Sequence, residues 1–337
     1  MTLRRLDIIY QYMKRILTII SLSLCVIAMN AQTNNVTRKK SQKQSSMQTT
    51  TAPKKQGITM APTKKQSTTT FSSQRSSSSS NSSSTSSPTI GTSSYISNVK
   101  TFIASGVSFQ MVEVRGGCFR MGGTSEQGHE AEDNEIPTHN VTLNSYYIGR
   151  TEVTQELWQA VMGSNPSNFK GSSKPVECVS WNDCKSFISK LNSITGKKFR
   201  MPTEAEWEFA ARGGTKSKGY KYSGSNTLDN VAWYTDLYRH IHDSSYSSQT
   251  HEVGTKSSNE LGIFDMSGNV YEWCSDWYGD YSNRAQTNPT GPNSGSYRVS
   301  RGGSWNGSAK GCRLSYRNHC APDYRYSYLG LRLCLSE

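Results

Sequence analysis

No stretch of this chain is apolar for long enough to cross a bilayer comfortably. The run from Ile16 to Ala28 falls short of the roughly 20 residues that a spanning helix needs. Acidic residues are absent from positions 32–98, and apolar ones nearly so. Such a segment cannot bury enough surface to offset the entropy of ordering it. Histidine is scarce: the six are scattered and no two show zinc-ligand spacing. There is no glycine-rich phosphate loop and no nucleophile elbow, which argues against a P-loop nucleotidase or an α/β-hydrolase.

What is present begins with a leader. Lys14 and Arg15 precede the short apolar run, and Met29-Asn30-Ala31 follows it with a small residue at the end. This order reads as a secretory signal peptide over residues 1–31. An uncleaved anchor is the competing reading. Residues 32–98 read as a disordered linker rich in Ser, Thr and Lys. Of the formal charge of +13, residues 1–31 carry +3 and residues 32–98 carry +9, so +1 remains for residues 99–337. The basic balance belongs to the tail. The folded part carries no charge suited to nucleic acid. The linker is either a soluble tether or a contact for anionic envelope polymers.

Cys25 lies in the leader, and seven cysteines remain beyond it. An exported chain with this count is expected to form disulfides, and an odd number leaves one thiol over.

The folded part is expected to hold a strand over 107–114, another at 118–123 closed by glycines, a polar surface loop over 124–138, and a strand through Val141, Leu143, Tyr146 and Ile148. Three helices are expected. The first starts at Thr154 and stops at Gly163. The second opens with Ser180 and Asp183 as a capping box and buries Cys184, Phe187, Ile188 and Leu191. The third opens with Thr203 and Glu206 as a capping box and stops at Gly213. After Gly213 the chain is rich in Gly, Ser, Asn and Tyr, and regular structure should be sparse. All seven tryptophans fall in this part, and core packing is the expectation for most.

A set of motifs runs through residues 105–335 in one order. It includes Met201-Pro202-Thr203-Glu204-Ala205-Glu206-Trp207-Glu208, then Gly262 to Trp277, then Arg301-Gly302-Gly303-Ser304-Trp305, Cys312-Arg313 and Leu329-Gly330-Leu331-Arg332. In these the chain resembles the formylglycine-generating enzyme (sulfatase-modifying factor) family. The resemblance implies an α+β, C-type-lectin-like formylglycine-generating-enzyme fold with sparse regular secondary structure. It also implies three sites.

The first is calcium, Ca²⁺, at Asp265, Gly268, Val270 and Glu272, with a second site beginning at Asn230 and Val231 and continuing into 236–250, and a further position at Glu152. Two carboxylates and main-chain carbonyls on one tight loop are hard donors that suit Ca²⁺. A capped surface turn is the plainer reading of Asp265 and Glu272. The second site is the family's copper centre, which holds Cu⁺ between two cysteines and oxidises a sulfatase cysteine to formylglycine. Its positions fall here on Cys312 and Gly307, beside Ser304. Copper(I) wants two soft thiolates, and a glycine offers none. Cys312 then reads as a buried thiol or half of a disulfide, unless Cys274 or Cys320 substitutes. The third is a disulfide between Cys184 and Cys334. Arg301 and Arg332 match family positions too and read as structural.

Two functions are implied. One is an exported, calcium-stabilised binding or structural module with a protein or glycan partner in the cell envelope. The other is an active oxidase that converts a sulfatase cysteine to formylglycine with Cys312 and Ser304.

Overall fold

The computed structural model of the protein describes residues 98–235 and 249–336. The leader and nearly all of the expected linker lie outside the described residues. Twelve short strands, three α-helices and five 3-10 turns are named among the described residues. The strands are β1 (Val99–Ala104), β2 (Val107–Val114), β3 (Gly117–Met121), β4 (His139–Leu143), β5 (Tyr146–Gly149), β6 (Phe199–Arg200), β7 (Tyr271–Trp277), β8 (Gln286–Thr287), β9 (Arg298–Arg301), β10 (Asn318–Cys320), β11 (Leu329–Gly330) and β12 (Cys334–Ser336). The helices are α1 (Gln155–Met162), α2 (Trp181–Thr195) and α3 (Glu204–Ala211). The architecture is α+β, with much irregular backbone between the elements.

Three sheets form, in the orders β1-β2-β5-β12-β6, β10-β9-β7-β11 and β3-β4-β8. The first organises the molecule. Successive side chains along a strand point to opposite faces. Met111, Tyr147, Leu333 and Leu335 therefore face one core with α1 and α2, while Val112, Val114, Tyr146, Ile148 and Cys334 face a second core with α3. Each large apolar side chain buried this way contributes about 1.5–3 kcal/mol.

The three helices start where the caps place them. Thr154, Ser180 and Thr203 each accept a hydrogen bond from the first turn, and Ser180–Asp183 and Thr203–Glu206 form full capping boxes. Gly163 and Gly196 close α1 and α2 in the left-handed conformation. α3 is short and buried on every side, its three glutamates included. Each glutamate meets an arginine from elsewhere in the chain: Glu204 meets Arg317, Glu206 meets Arg200 and Glu208 meets Arg301 and Arg212. Losing one partner of the Glu204–Arg317 or Glu208–Arg301 pair, both buried on each side, costs about 3–5 kcal/mol.

Three expectations need correction. The single strand through 141–148 is two strands in two sheets, parted at Asn144-Ser145. The 124–138 segment is not a plain surface loop: Gln127 and Glu135 are fully buried, and Glu135 accepts a bidentate pair from Arg313. Beyond Gly213 regular structure is sparse, as expected: β7 is the longest element there, and it pairs antiparallel with β9 through a register shift between Trp273 and Trp277. The third correction concerns sulfur. Among the described residues all seven cysteines are free thiols. Cys184 is buried as expected, but it packs in the first core. Cys334 alternates with Leu333 and Leu335 and so faces the second core, near Glu206. The sheet separates the two thiols.

Of the tryptophans, Trp158, Trp181, Trp207 and Trp273 are core residues, while Trp233, Trp277 and Trp305 are half-buried.

Candidate functional site

The loop leading into β7 turns tightly. Asp265, Gly268 and Asn269 have φ of +57°, +83° and +60°. Gly268 is required there, because a Cβ would lie 2.4 Å from the Trp233 carbonyl oxygen. The turn carries Asp265 and, one strand residue into β7, Glu272 inward, where both are buried. Val270 beside them is fully buried as well.

Glu272 is engaged. It accepts from Arg332 Nε and Nη2 at 2.6–3.0 Å and from the Trp207 indole N–H at 2.6 Å. Arg332 also donates to the carbonyls of Gly149 and Phe264, so it acts as a structural clamp, as expected. Arg301 does the same with Leu314, Ser315 and Tyr316.

Glu152 and Asp265 are not satisfied. Both oxygens of Glu152 and Oδ1 of Asp265 are buried with no hydrogen-bond partner. Asp265 Oδ2 accepts the Gly254 N–H, at 2.6 Å, and a protonated Glu152 carboxyl is placed to hydrogen-bond Asp265. Burial, first of all, raises the Glu152 carboxyl well above the usual range, and the Asp265 charge adds to it. Asp265 is pushed up to about 6, again chiefly by burial. A cavity of about 440 Å³ reaches Glu152 from the surface beside Gln110 and Arg150. Among the described residues no group of three or more His, Cys, Asp or Glu converges as a metal site. Two carboxyls do meet, with three unsatisfied buried oxygens, and that donor set fits a hard cation. Glu272 stands behind them, held by Arg332.

Asn230 and Val231 lie elsewhere. Asn230 is exposed and its carbonyl accepts the Ser257 N–H, while Val231 packs with Tyr222, Leu228 and Cys312 in a small third core. Most of their expected co-ligands fall in 236–248, outside the described residues.

The copper position does not fit copper. Cys312 is fully buried, and its thiol is pushed up to about 12 by burial. Its sulfur would lie 2.7 Å from a Cβ on Gly303, so the backbone presses on it. At Gly307 the main chain is tied down: its N–H donates to the Ser304 carbonyl at 2.9 Å and its carbonyl accepts from Thr235 at 2.8 Å. Ser304 is buried and donates to Asn306 at 2.7 Å. Neither candidate substitute reaches the place. Cys274 belongs to the second core and Cys320 packs on the first. One protonated thiol is left where two thiolates are needed.

Above that position lies a feature that the sequence did not announce. The Tyr271 hydroxyl stands 3.1 Å from where a Gly311 Cβ would be. From Tyr271 an aromatic band continues through Tyr328, Tyr326 and Tyr324, at ring separations of 6.3, 4.8 and 5.9 Å. Trp305 joins it by donating to the Ser327 carbonyl, and Phe169 meets Trp305 edge-on. Tyr324 is 52% exposed and the other tyrosines are half-buried. The Tyr-rich run 324–328 was the available signal, but nothing in its spacing told surface from core.

The fold and this site define a lectin-like scaffold of the formylglycine-generating type. Comparison with known proteins agrees. Residues 104–336 match the sulfatase-modifying factor enzyme 1-like domain family, and the chain belongs to that family. It is similar to a protein named chaperone protein LppX from Paenibacillus barcinonensis, at 36% identity over 68% of this chain and 91% of the relative. It is also similar to the mouse (Mus musculus) formylglycine-generating enzyme, at 33% identity over 66% of this chain and 74% of the enzyme. Among solved structures, Treponema denticola variable protein 1 is similar at 36% identity with a TM-score of 0.63, covering 71% of this chain and 99% of that one.

Proposed function

We propose that this chain is an exported recognition module that binds a protein partner in the cell envelope through the aromatic band, and that it does not perform copper-dependent cysteine oxidation. One observation carries this reading. Where the oxidase needs two thiolates, this chain has a hydrogen-bonded glycine, Gly307, and a buried, protonated Cys312 beneath tyrosines. Tyrosine and tryptophan suit such a surface, because each supplies a rigid apolar body and a polar tip. Bound at Glu152 and Asp265, a calcium ion would neutralise two crowded carboxyls and stiffen the turn that leads into β7. The similarity to a protein named as a chaperone supports a protein partner over a small substrate.

Copper(I) titration of the purified protein beside its Cys312→Ser variant, with oxygen uptake measured on a sulfatase-type cysteine peptide, tests the reading. The two proteins should bind copper equally weakly and consume no oxygen. Tight stoichiometric copper that the variant loses, together with oxygen consumption, would restore the oxidase reading.

A further inference from the structure

At the opposite end of β7 from Tyr271 lies a second cavity, of about 510 Å³. The end of β7, the start of α3 and the 279–292 loop wall it, and Asp276 lines it. Asp276 is only 4% exposed. Its Oδ2 accepts the Glu204 N–H at 3.1 Å and the Ser275 hydroxyl at 2.9 Å. Its Oδ1 accepts no hydrogen bond from the described residues. The Pro289–Pro292 segment presses on this carboxyl. Gly291 has φ +72°, and a Cβ there would lie 2.9 Å from the Asp276 Cβ and 3.2 Å from Oδ1.

The two arginines nearby are engaged mainly with other groups, although Arg298 Nε has no hydrogen-bond partner among the described residues. Arg317 gives Nε and Nη2 to the two oxygens of Glu204, at 2.7 and 2.8 Å, and Nη1 to the Asn134 carbonyl. The Arg298 guanidinium lies between the rings of Trp181 and Trp277, at 3.8 and 3.4 Å, and donates to the Ser275 carbonyl. The nearby acids Glu204 and Glu206 repel a charge on Asp276. Asp280 on the rim adds another acid. A buried carboxyl normally has a counter-ion or a full set of donors. Asp276 feels the Arg298 charge but forms no ion pair with it among the described residues, its two hydrogen bonds both fall on Oδ2, and it opens on a cavity large enough for a side chain. A metal ion would need several free oxygens, and one is available here.

We propose that this cavity receives a basic side chain from a polypeptide partner, an ammonium or guanidinium group, with Asp276 as its counter-ion. The group would place N–H donors on Oδ1. It would also share the cavity with Tyr281, whose ring already carries the Arg317 guanidinium at 3.9 Å. This site is separate from the aromatic band and does not depend on the function proposed there.

The test is calorimetric titration of the full chain with Nα-acetyl-arginine methylamide and with its neutral citrulline counterpart. The arginine compound should bind at least about ten-fold more tightly, a difference of about 1.4 kcal/mol, because only it brings a charge to Asp276. Asp276→Asn should lose that preference. Thr290→Trp, on the exposed rim, should block both compounds while leaving Asp276 in place, and it decides the matter if the Asn variant does not fold. Equal binding of the two compounds, an arginine preference that survives either substitution, or no binding of either would overturn the proposal.

Discussion

At the scale of single residues, the instructive groups are those whose partners went elsewhere. Asp276 is pushed up from 3.8 to about 7, mainly by burial and then by Glu204. Its folded value is raised, so between roughly pH 4 and 7 the folded chain holds a proton that the unfolded chain has lost. This group therefore lowers stability as pH rises through that window. Asp276→Asn should be more stable than the parent at pH 8, by about 1–3 kcal/mol, and close to it at pH 4, because each tenfold change in proton affinity on folding is worth about 1.4 kcal/mol. Denaturant melts at the two pH values measure this, and parallel pH profiles would contradict it. Sequence alone marks Asp276 as part of a motif but cannot show its isolation. That depends on Arg317 choosing Glu204, 113 positions away, and on Arg298 lying between two indoles. Glu135 is the same lesson reversed. In a run of acids it reads as solvated, yet Arg313 draws it fully inside from 178 positions away.

At the scale of elements, local chemistry was the most legible. All three helix starts could be read because a cap is a contact within four residues. The Ser180 cap is a measurable case. Its hydroxyl accepts the Asp183 N–H at 3.1 Å and Asp183 returns the bond at 2.9 Å. Asp183 also pairs with Arg325, which is half-exposed. Ser180→Ala should cost about 1 kcal/mol, the usual value of a cap. Arg325→Ala should cost at most about 0.5 kcal/mol, because exposed pairs are weak. Equal losses in a thermal melt would mean that the ion pair, not the cap, sets the helix start. Strands were less legible. β7 is buried along most of its length, so it lacks the alternation that marks a half-exposed strand. β4 and β5 read as one alternating run because the break at Asn144-Ser145 changes sheet without changing pattern. The disulfide expectation failed for an element-scale reason too: one residue of alternation in β12 turns Cys334 away from α2.

At the scale of the whole molecule, two cores on the faces of one sheet and a set of buried arginines hold long irregular segments together. Arg301, Arg313, Arg317 and Arg332 are each nearly or fully buried, and each ties carbonyls or carboxylates from distant parts of the chain. The motifs around them made the fold readable, since no pattern of hydrophobic residues could have. The acid pair at Glu152 and Asp265 is the exception in this network, because no arginine pairs with it and three of its buried oxygens have no donor among the described residues. If a cation completes it, the ion should act on global stability. A ligand that binds only the folded state stabilises it by about 2.7 kcal/mol when present at about a hundred times its dissociation constant. Calcium should therefore raise the melting temperature of the parent chain, and a chelator should lower it. Glu152→Gln replaces one of the two crowded carboxyls with a group that cannot ionise. In chelator it should melt above the parent, since burial no longer opposes a carboxylate there, and added calcium should leave it unmoved. The two melting curves should thus exchange order between chelator and calcium. A parent chain indifferent to calcium, or a variant that responds as fully as the parent, would mean that Glu152 and Asp265 are simply held protonated in the core.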